Sequence, residues 1–457
     1  GSVAVKAAPP EPALIKVTGV FSYQRKEIQR LVKAGFDSIP LVDDMPPEGT
    51  AAPKDWLEDK INDAKKFYKD TYYKEFASLM FTGEAERGQM RSLQRLKTFD
   101  LFLQKKQMMV QCTCQELFLF ENGTGILSLT ISPGSLDFVT ISNAIDSLRS
   151  FDSKVLYENQ DIELHDFISH KILNNIITLR GDHVQADEYS GSKFKMYTII
   201  NTQEPDDGSC YGRDELVYEI GTGSRIGEMQ NNGFNAPTRS YFDEIMKNSI
   251  KVFRNYTGLA LLDSFTVIGQ DVYQPGEVHA LKFNTYNRVY FAIYIYNLYL
   301  RYNIFRFNSI FHLDPVKTRD DFQQFLNQYN YSHISFNFLP NIFYKKVHQA
   351  LDIDDEVAQF EKRLVGLATN LQEQQEKRQA TLLGLISAVT TLSSAGDILN
   401  LLEGFRGNLQ WTVTAFYTLV VLLVLAVGLP ALAYLFPELT RKFLKQVRSK
   451  PKRRERE

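Results

Sequence analysis

The chain has 457 residues, 44% hydrophobic and 23% charged, with a formal net charge of -2. That length can bury a large core in one or two subdomains. Without the basic tail from Arg441 onward, 43 basic residues face 52 acidic ones, which excludes a surface built for nonspecific DNA binding. Cys112, Cys114 and Cys210 are too few for a disulfide framework and fit a reducing compartment.

Residues 1–13 are Pro/Ala-rich and are expected to be disordered. Residues 14–350 read as an α/β domain. Helices are predicted over 22–36 and 55–81, on either side of the Pro-rich SIPLVDDMPPEGTAAP. Two strands are predicted around the turn ENGTG, and CTC fits alternating strand positions better than a metal site. A helix is entered near Thr140, strands are predicted at FKMYTIINT and LVYEIG, a helix at RSYFDEIMKNSIKVFRNY and a strand at GLALLDSFTVIG. The aromatic run from Asn284 holds only 12 residues between Arg288 and Arg301, too short for a membrane span, so a buried helix is predicted there.

Beyond Asp354, Val357, Phe360, Leu364, Leu367 and Leu371 recur at spacings of three and four, a coiled-coil-like seam on a stalk helix over 351–381 that gives way to Gln374 and Arg378. Residues 382–402 then carry one charge in 21 residues, and residues 411–436 carry none in 26, where about 20 apolar residues suffice to cross a bilayer. Two transmembrane helices are expected, joined by an outer loop at 403–410 and followed by a basic cytoplasmic tail at 437–457. The start of the chain lacks the pattern of a secretory signal, which puts the N-terminal domain on the cytoplasmic side as well. In the first span Thr390, Ser394 and Asp397 share a face, with Asn400 on its shoulder. A carboxylate at membrane depth costs about 2.5–3.5 kcal/mol, so this polar stripe predicts a pore lining in an oligomer.

The layout of α/β domain, long stalk helix, short outer loop, second span and basic tail resembles the CorA-type divalent-cation channels, the two-transmembrane GxN superfamily. The resemblance implies a homopentamer in the lipid bilayer of the bacterial inner membrane, with the first span around the pore and both the large domain and the tail cytoplasmic. The family's Gly-Met-Asn signature is missing. The outer mouth offers Arg406, Gly407 and Asn408 instead, and a ring of arginines would repel cations. That departure resembles the CorA-like membrane effectors of type III CRISPR systems, whose cytosolic domains sense a nucleotide second messenger.

The implied function is a channel or membrane-disrupting effector in antiviral defence, gated by a signal nucleotide. A divalent cation or that nucleotide would be the ligand, with no certain cofactor and no direct nucleic-acid partner. By this analogy ligand contacts fall in YEIGTGSRIGEMQNNGFN, where Gly221, Gly223 and Gly227 allow close backbone approach and Arg225 could meet a phosphate. A plain turn and loop is the other reading of that stretch. A magnesium transporter and a non-conducting, membrane-anchored binding scaffold are the alternatives for the whole chain. Enzymatic activity is not expected. The histidines are scattered, HDFISH separates His165 and His170 by five residues and so puts them on different faces of an α-helix, and no HExxH, Walker loop or G-x-S-x-G occurs.

Overall fold

Residues Pro10–Ser22 form β1, a strand in the interior of the sheet, although the sequence predicts disorder as far as residue 13. In the computed structural model the described residues are 10–38, 54–81, 90–133, 137–177, 179, 192–202, 212–270, 272, 285–403, 414, 417, 418 and 421. Two compact units divide the chain, Gly1–Phe360 and Glu361–Glu457. The first is built on a 12-stranded sheet.

β1 lies between β6 (Thr124–Pro133) and β9 (Lys195–Thr202), antiparallel to both. From one edge the order is β10 (Ser249–Ile250), β11 (Tyr256–Ala260), β12 (Ser264–Gly269), β9, β1, β6, β5 (Met108–Leu119), β4 (Phe99–Leu103), β7 (Lys154–Tyr157) and β8 (Gln160–Glu163). β3 (Arg91–Arg95) pairs with the far end of β5 and carries β2 (Asp37–Ser38). β9 and β12 run parallel, and the other pairings are antiparallel. The ENGTG hairpin forms where predicted, with Gly123 at φ 84 in the turn. CTC lies on β5 as expected, but a bulge between Cys112 and Cys114 breaks the strict alternation.

Period-2 alternation sends successive side chains to opposite faces, and the two faces hold different cores. Ile15, Val17, Leu117, Leu119 and Met196 pack with α4 (Phe138–Leu148) and α6 (Arg213–Thr222). Lys16, Phe118 and Tyr197, one residue out of phase, meet Phe291 on α8 (Tyr290–Ile310), the predicted aromatic helix. α8 is buried nearly all round, as expected for a helix that is apolar on every side. Its two fully buried amides have defined tasks. Asn303 accepts from Asn122 Nδ2 at 2.9 Å and from Thr124 Oγ1, pinning the hairpin turn, while Asn297 reaches the site described below.

Other predicted elements are adjusted. Helix 22–36 shortens to α1 (Arg25–Lys33). Helix 55–81 breaks into α2 (Lys54–Thr71) and α3 (Lys74–Phe81), because Tyr73 N–H donates to Ile334 O and Phe336 N–H to Thr71 O at the break. LVYEIG is not a strand. It lies in α6, where Leu216, Val217 and Ile220 bury one helical face and Gly223 at φ 72 ends the helix. GLALLDSFTVIG folds into two strands, the hairpin β11–β12. The predicted helix at 239–256 covers only α7 (Arg239–Met246) before the chain enters β10 and β11.

The largest correction concerns the end of the chain. Among the described residues no helix is long and apolar enough to cross a membrane. The predicted CorA-like fold, with its two-helix transmembrane hairpin, and the inner-membrane location that rested on it are therefore not supported. Residues 353–403 form one continuous 51-residue helix, α11, in which the predicted stalk runs into the predicted first span without a break. Polar residues from Ser387 to Asn400 recur too often for a lipid-facing segment. Arg406, Gly407 and Asn408, the tail and most of 411–436 lie outside the described residues; Thr414, Tyr417, Thr418 and Val421 are helical and exposed.

Candidate functional site

α10 (Phe338–Ala350) ends in a corner at Leu351 and Asp352, and α11 starts immediately after it. Asp352 takes φ 53, a left-handed conformation that aspartate tolerates better than most residues. Its N–H donates to Gln349 O and its carbonyl accepts from Glu356 N–H, while Arg301 Nε on α8 donates to Leu351 O at 3.2 Å. The corner is thus fixed from both sides. It leaves a cavity of about 720 Å³ lined by Tyr331, Tyr344, Lys345, His348, Asp354 and Asp355, with Asp352 and Asn330 among its other walls. That volume is in the range of small-molecule sites, ~300–1,000 Å³.

His348, like Tyr344, is buried. Its Nδ1 lies 3.1 Å from Asn297 Oδ1, and its Nε2 lies 3.0 Å from Asp354 Oδ1. Asn297 Nδ2 donates to Ile293 O at 3.0 Å, which fixes the amide so that its oxygen faces the histidine. Both ring nitrogens therefore face acceptors, and a neutral imidazole has one proton to give. Burial pushes the His348 pKa below its ordinary value, and the Asp354 carboxylate opposes this without overcoming it. The Asp354 side chain is 80% exposed, so its attraction is screened by water. The neutral ring can give its one proton to only one of Asn297 Oδ1 and Asp354 Oδ1, and the other is left facing a lone pair.

The rest of the wall is polar and predominantly acidic. Asp352, Asp354 and Asp355 outnumber Lys345, whose Nζ lies 3.2 Å from His333 Nε2. Tyr344 Oη donates to Tyr331 O at 2.8 Å. Burial pushes both phenols up, Tyr331 to about 12, so both stay protonated. None of these residues was singled out from the sequence as a site. HQALDIDDE reads as the end of one helix and the acidic first turn of the next, and only the corner at Asp352 brings His348 against Asp354.

The predicted ligand loop is arranged differently from a phosphate cradle. Gly221 is buried in the last turn of α6, Gly223 caps that helix, and Arg225 is exposed. Glu219, 0% exposed, accepts from Gly227 N–H at 2.8 Å and from Met229 N–H at 2.9 Å. The backbone donors that would hold an anion are occupied by the protein's own carboxylate. Thr390 is exposed on α11, and the side chains of Ser394, Asp397 and Asn400 lie outside the described residues. Burial pushes the thiols of Cys112 and Cys114 up to about 11 and about 12, so neither is a ready metal ligand or nucleophile.

Comparison with protein families, curated proteins and solved structures finds no match to this chain.

Proposed function

We infer that this chain is a binding module that takes a small, cationic, hydrogen-bond-donating ligand in the cavity at the start of α11 and associates with its own copies along that helix. The observation that carries the reading is a wall of three aspartates and one lysine around His348, whose two ring nitrogens face the acceptors Asn297 Oδ1 and Asp354 Oδ1. An amine or guanidine supplies the proton that one of these acceptors lacks. A nucleotide phosphate would be repelled by the same wall, so the charge balance favours a cation over a signal nucleotide. Conduction through a membrane depended on the helical hairpin and has no support among the described residues.

Self-association rests on the pattern of α11. The frame set by Val357 and Phe360 continues without a slip to Leu385, Ala388, Leu392, Ala395, Leu399 and Leu402, with Gln374, Arg378 and Thr381 as its polar middle. Leu364, Leu367, Leu385 and Ala388 are half-buried, whereas their helical neighbours are exposed. Since Asp354 and Asp355 form the first turn of the same helix, a ligand at the corner acts on the element that carries the seam.

Thermal unfolding of the full chain with spermidine, agmatine or ATP tests the reading. At about 100-fold over Kd a bound ligand stabilises by about 2.7 kcal/mol, a rise of a few degrees for a protein of this size. Spermidine or agmatine should produce that rise, and the triple variant Asp352→Asn, Asp354→Asn, Asp355→Asn should abolish it. Stabilisation by ATP alone, or by the amines equally in the triple variant, would refute the ligand class. A strictly monomeric chain in light scattering would refute the assembly.

A further inference from the structure

The wall of the cavity carries charge of both signs, and the two signs stand at opposite ends of it. Lys345, His348, Gln349 and Asp352 all line the cavity. Offsets of three, four and seven residues place them along one face of α10 and its corner. Asp354 and Asp355, in the first turn of α11, add to the Asp352 end. At about 1.5 Å per residue, Lys345 stands about 10 Å back along the helix from Asp352, with His348 between them.

The basic end has a geometry of its own. Lys345 is exposed, and its Nζ lies 3.2 Å from His333 Nε2. An ammonium group has protons only to give, so the imidazole meets it with the Nε2 lone pair and keeps its proton on Nδ1. Ser332 Oγ lies 3.2 Å from that Nδ1. A neutral ring orients the lysine without cancelling its charge. His333 and Ser332 belong to the segment after α9 (Pro315–Tyr329), in which Asn330 and Ser332 form the facing wall. Asn341 on α10 holds this segment in place, because its Oδ1 accepts from Ile334 N–H at 3.0 Å and Ser335 N–H at 3.1 Å and its Nδ2 donates to Ser335 O at 2.7 Å. Tyr344 Oη on the same helix donates to Tyr331 O. The lysine end and the aspartate end are thus fixed relative to each other through one helix.

A wholly acidic pocket favours the ligand of highest positive charge. A pocket with a free ammonium opposite its aspartates favours a molecule that has a cation at one end and a carboxylate at the other. Building on the cation-binding reading of this cavity, on which the inference rests, we propose that the ligand is a basic amino acid. Its amine or guanidine lies against Asp352, Asp354 and Asp355, and its α-carboxylate accepts from Lys345. Asn330 and Ser332, on the wall beside the lysine, offer acceptors to the α-ammonium group.

Titration calorimetry of the full chain at pH 7.5 with L-arginine and with agmatine tests this. The two compounds share the guanidine and differ in the carboxylate. Agmatine has one more net positive charge, yet it presents a bare amine to Lys345. Arginine should bind at least fivefold more tightly than agmatine to the wild type, about the contribution of one ion pair to an exposed lysine. Lys345→Gln, a substitution at an exposed position that should leave the melting temperature unchanged, should abolish that preference by weakening arginine and not agmatine. The triple variant Asp352→Asn, Asp354→Asn, Asp355→Asn should bind neither. Agmatine binding as tightly as arginine to the wild type, or a preference for arginine that survives in Lys345→Gln, would overturn the proposal and leave the cation site standing. Binding of neither compound to the wild type would remove the cation site, and the amino-acid class with it.

Discussion

Replacing His348 by Leu tests the corner between α10 and α11 directly. Leucine fills much of the ring's volume but donates nothing, so Asn297 Oδ1, in a residue 0% exposed, loses its polar partner at 3.1 Å. Leaving a buried acceptor unsatisfied costs about 1–3 kcal/mol, which should appear as a lowered urea midpoint at pH 7.5 followed by circular dichroism. Asp354→Asn removes the contact on the other nitrogen, but that side chain is 80% exposed and the loss should stay below about 1 kcal/mol. The pH dependence has a definite sign. Burial lowers the folded-state pKa of His348, so the unfolded chain takes up the proton first on acidification. The stability due to the neutral ring is fully present above the unfolded value of about 6.5 and is lost as pH falls through the folded value. The wild type should therefore lose stability between pH 7 and pH 5 by a contribution that His348→Leu lacks, and the gap between the two should narrow. A gap that widens on acidification, or an Asp354→Asn cost equal to that of His348→Leu, would refute the reading of His348 as a buried neutral partner of Asn297.

Glu219→Ala should destabilise the first unit by about 2–4 kcal/mol, because a fully buried carboxylate that accepts from Gly227 and Met229 is removed and two backbone donors are orphaned; Arg225→Ala, at an exposed position, should shift the urea midpoint by no more than about 0.5 kcal/mol. Cys114 is only partly buried, yet burial and the nearby Glu116 hold its thiol up at about 12, so alkylation by iodoacetamide at pH 8 should be far slower than for a free thiol and should accelerate on unfolding in urea. Leu364→Asp combined with Leu385→Asp should shift the chain to a lower mass in light scattering without lowering the melting temperature of the first unit. Each substitution removes about 2 kcal/mol of apolar burial from the seam, more than tenfold in association per site.

The middle of the sheet was legible in part because its signals are local. ENGTG lies between two apolar runs, FKMYTIINT is rich in β-branched and aromatic residues, and the arginines in the aromatic run limit it to a buried helix. β1 was missed altogether: Pro9, Pro10 and Pro12 look like a flexible leader and no strand is predicted over 14–22, whereas pairing with β6 and β9 makes a strand of Pro10–Ser22. LVYEIG was misread because Val217 and Ile220 are three apart and suit a helix face equally well; short apolar runs do not distinguish the two periods. The candidate site could not be read locally. It needs a left-handed aspartate to fold DIDDE back onto His348, a backbone departure decided by tertiary packing that no residue type announces.

The end of the chain carries a pattern that admits two readings. Thr390, Ser394 and Asp397 do share one face of α11, as the helical period requires. In the frame that runs from Val357 through Leu385 to Leu399, however, Thr390 and Asp397 lie opposite the seam and Ser394 and Asn400 lie beside them. The same stripe lines a pore if lipid surrounds the helix, and faces water if the apolar residues meet one another. What separates the two is whether the apolar residues cover the remaining circumference or only a seam. From Ser393 to Leu402 the outward positions are mostly polar, which suits the seam; from Leu382 to Val389 they include Leu383 and Ile386, at 67% and 62% exposure. That short band is more apolar than a two-helix seam can cover. If copies of α11 assemble in water, the band must be met by further helices, so the assembly should contain more than two chains.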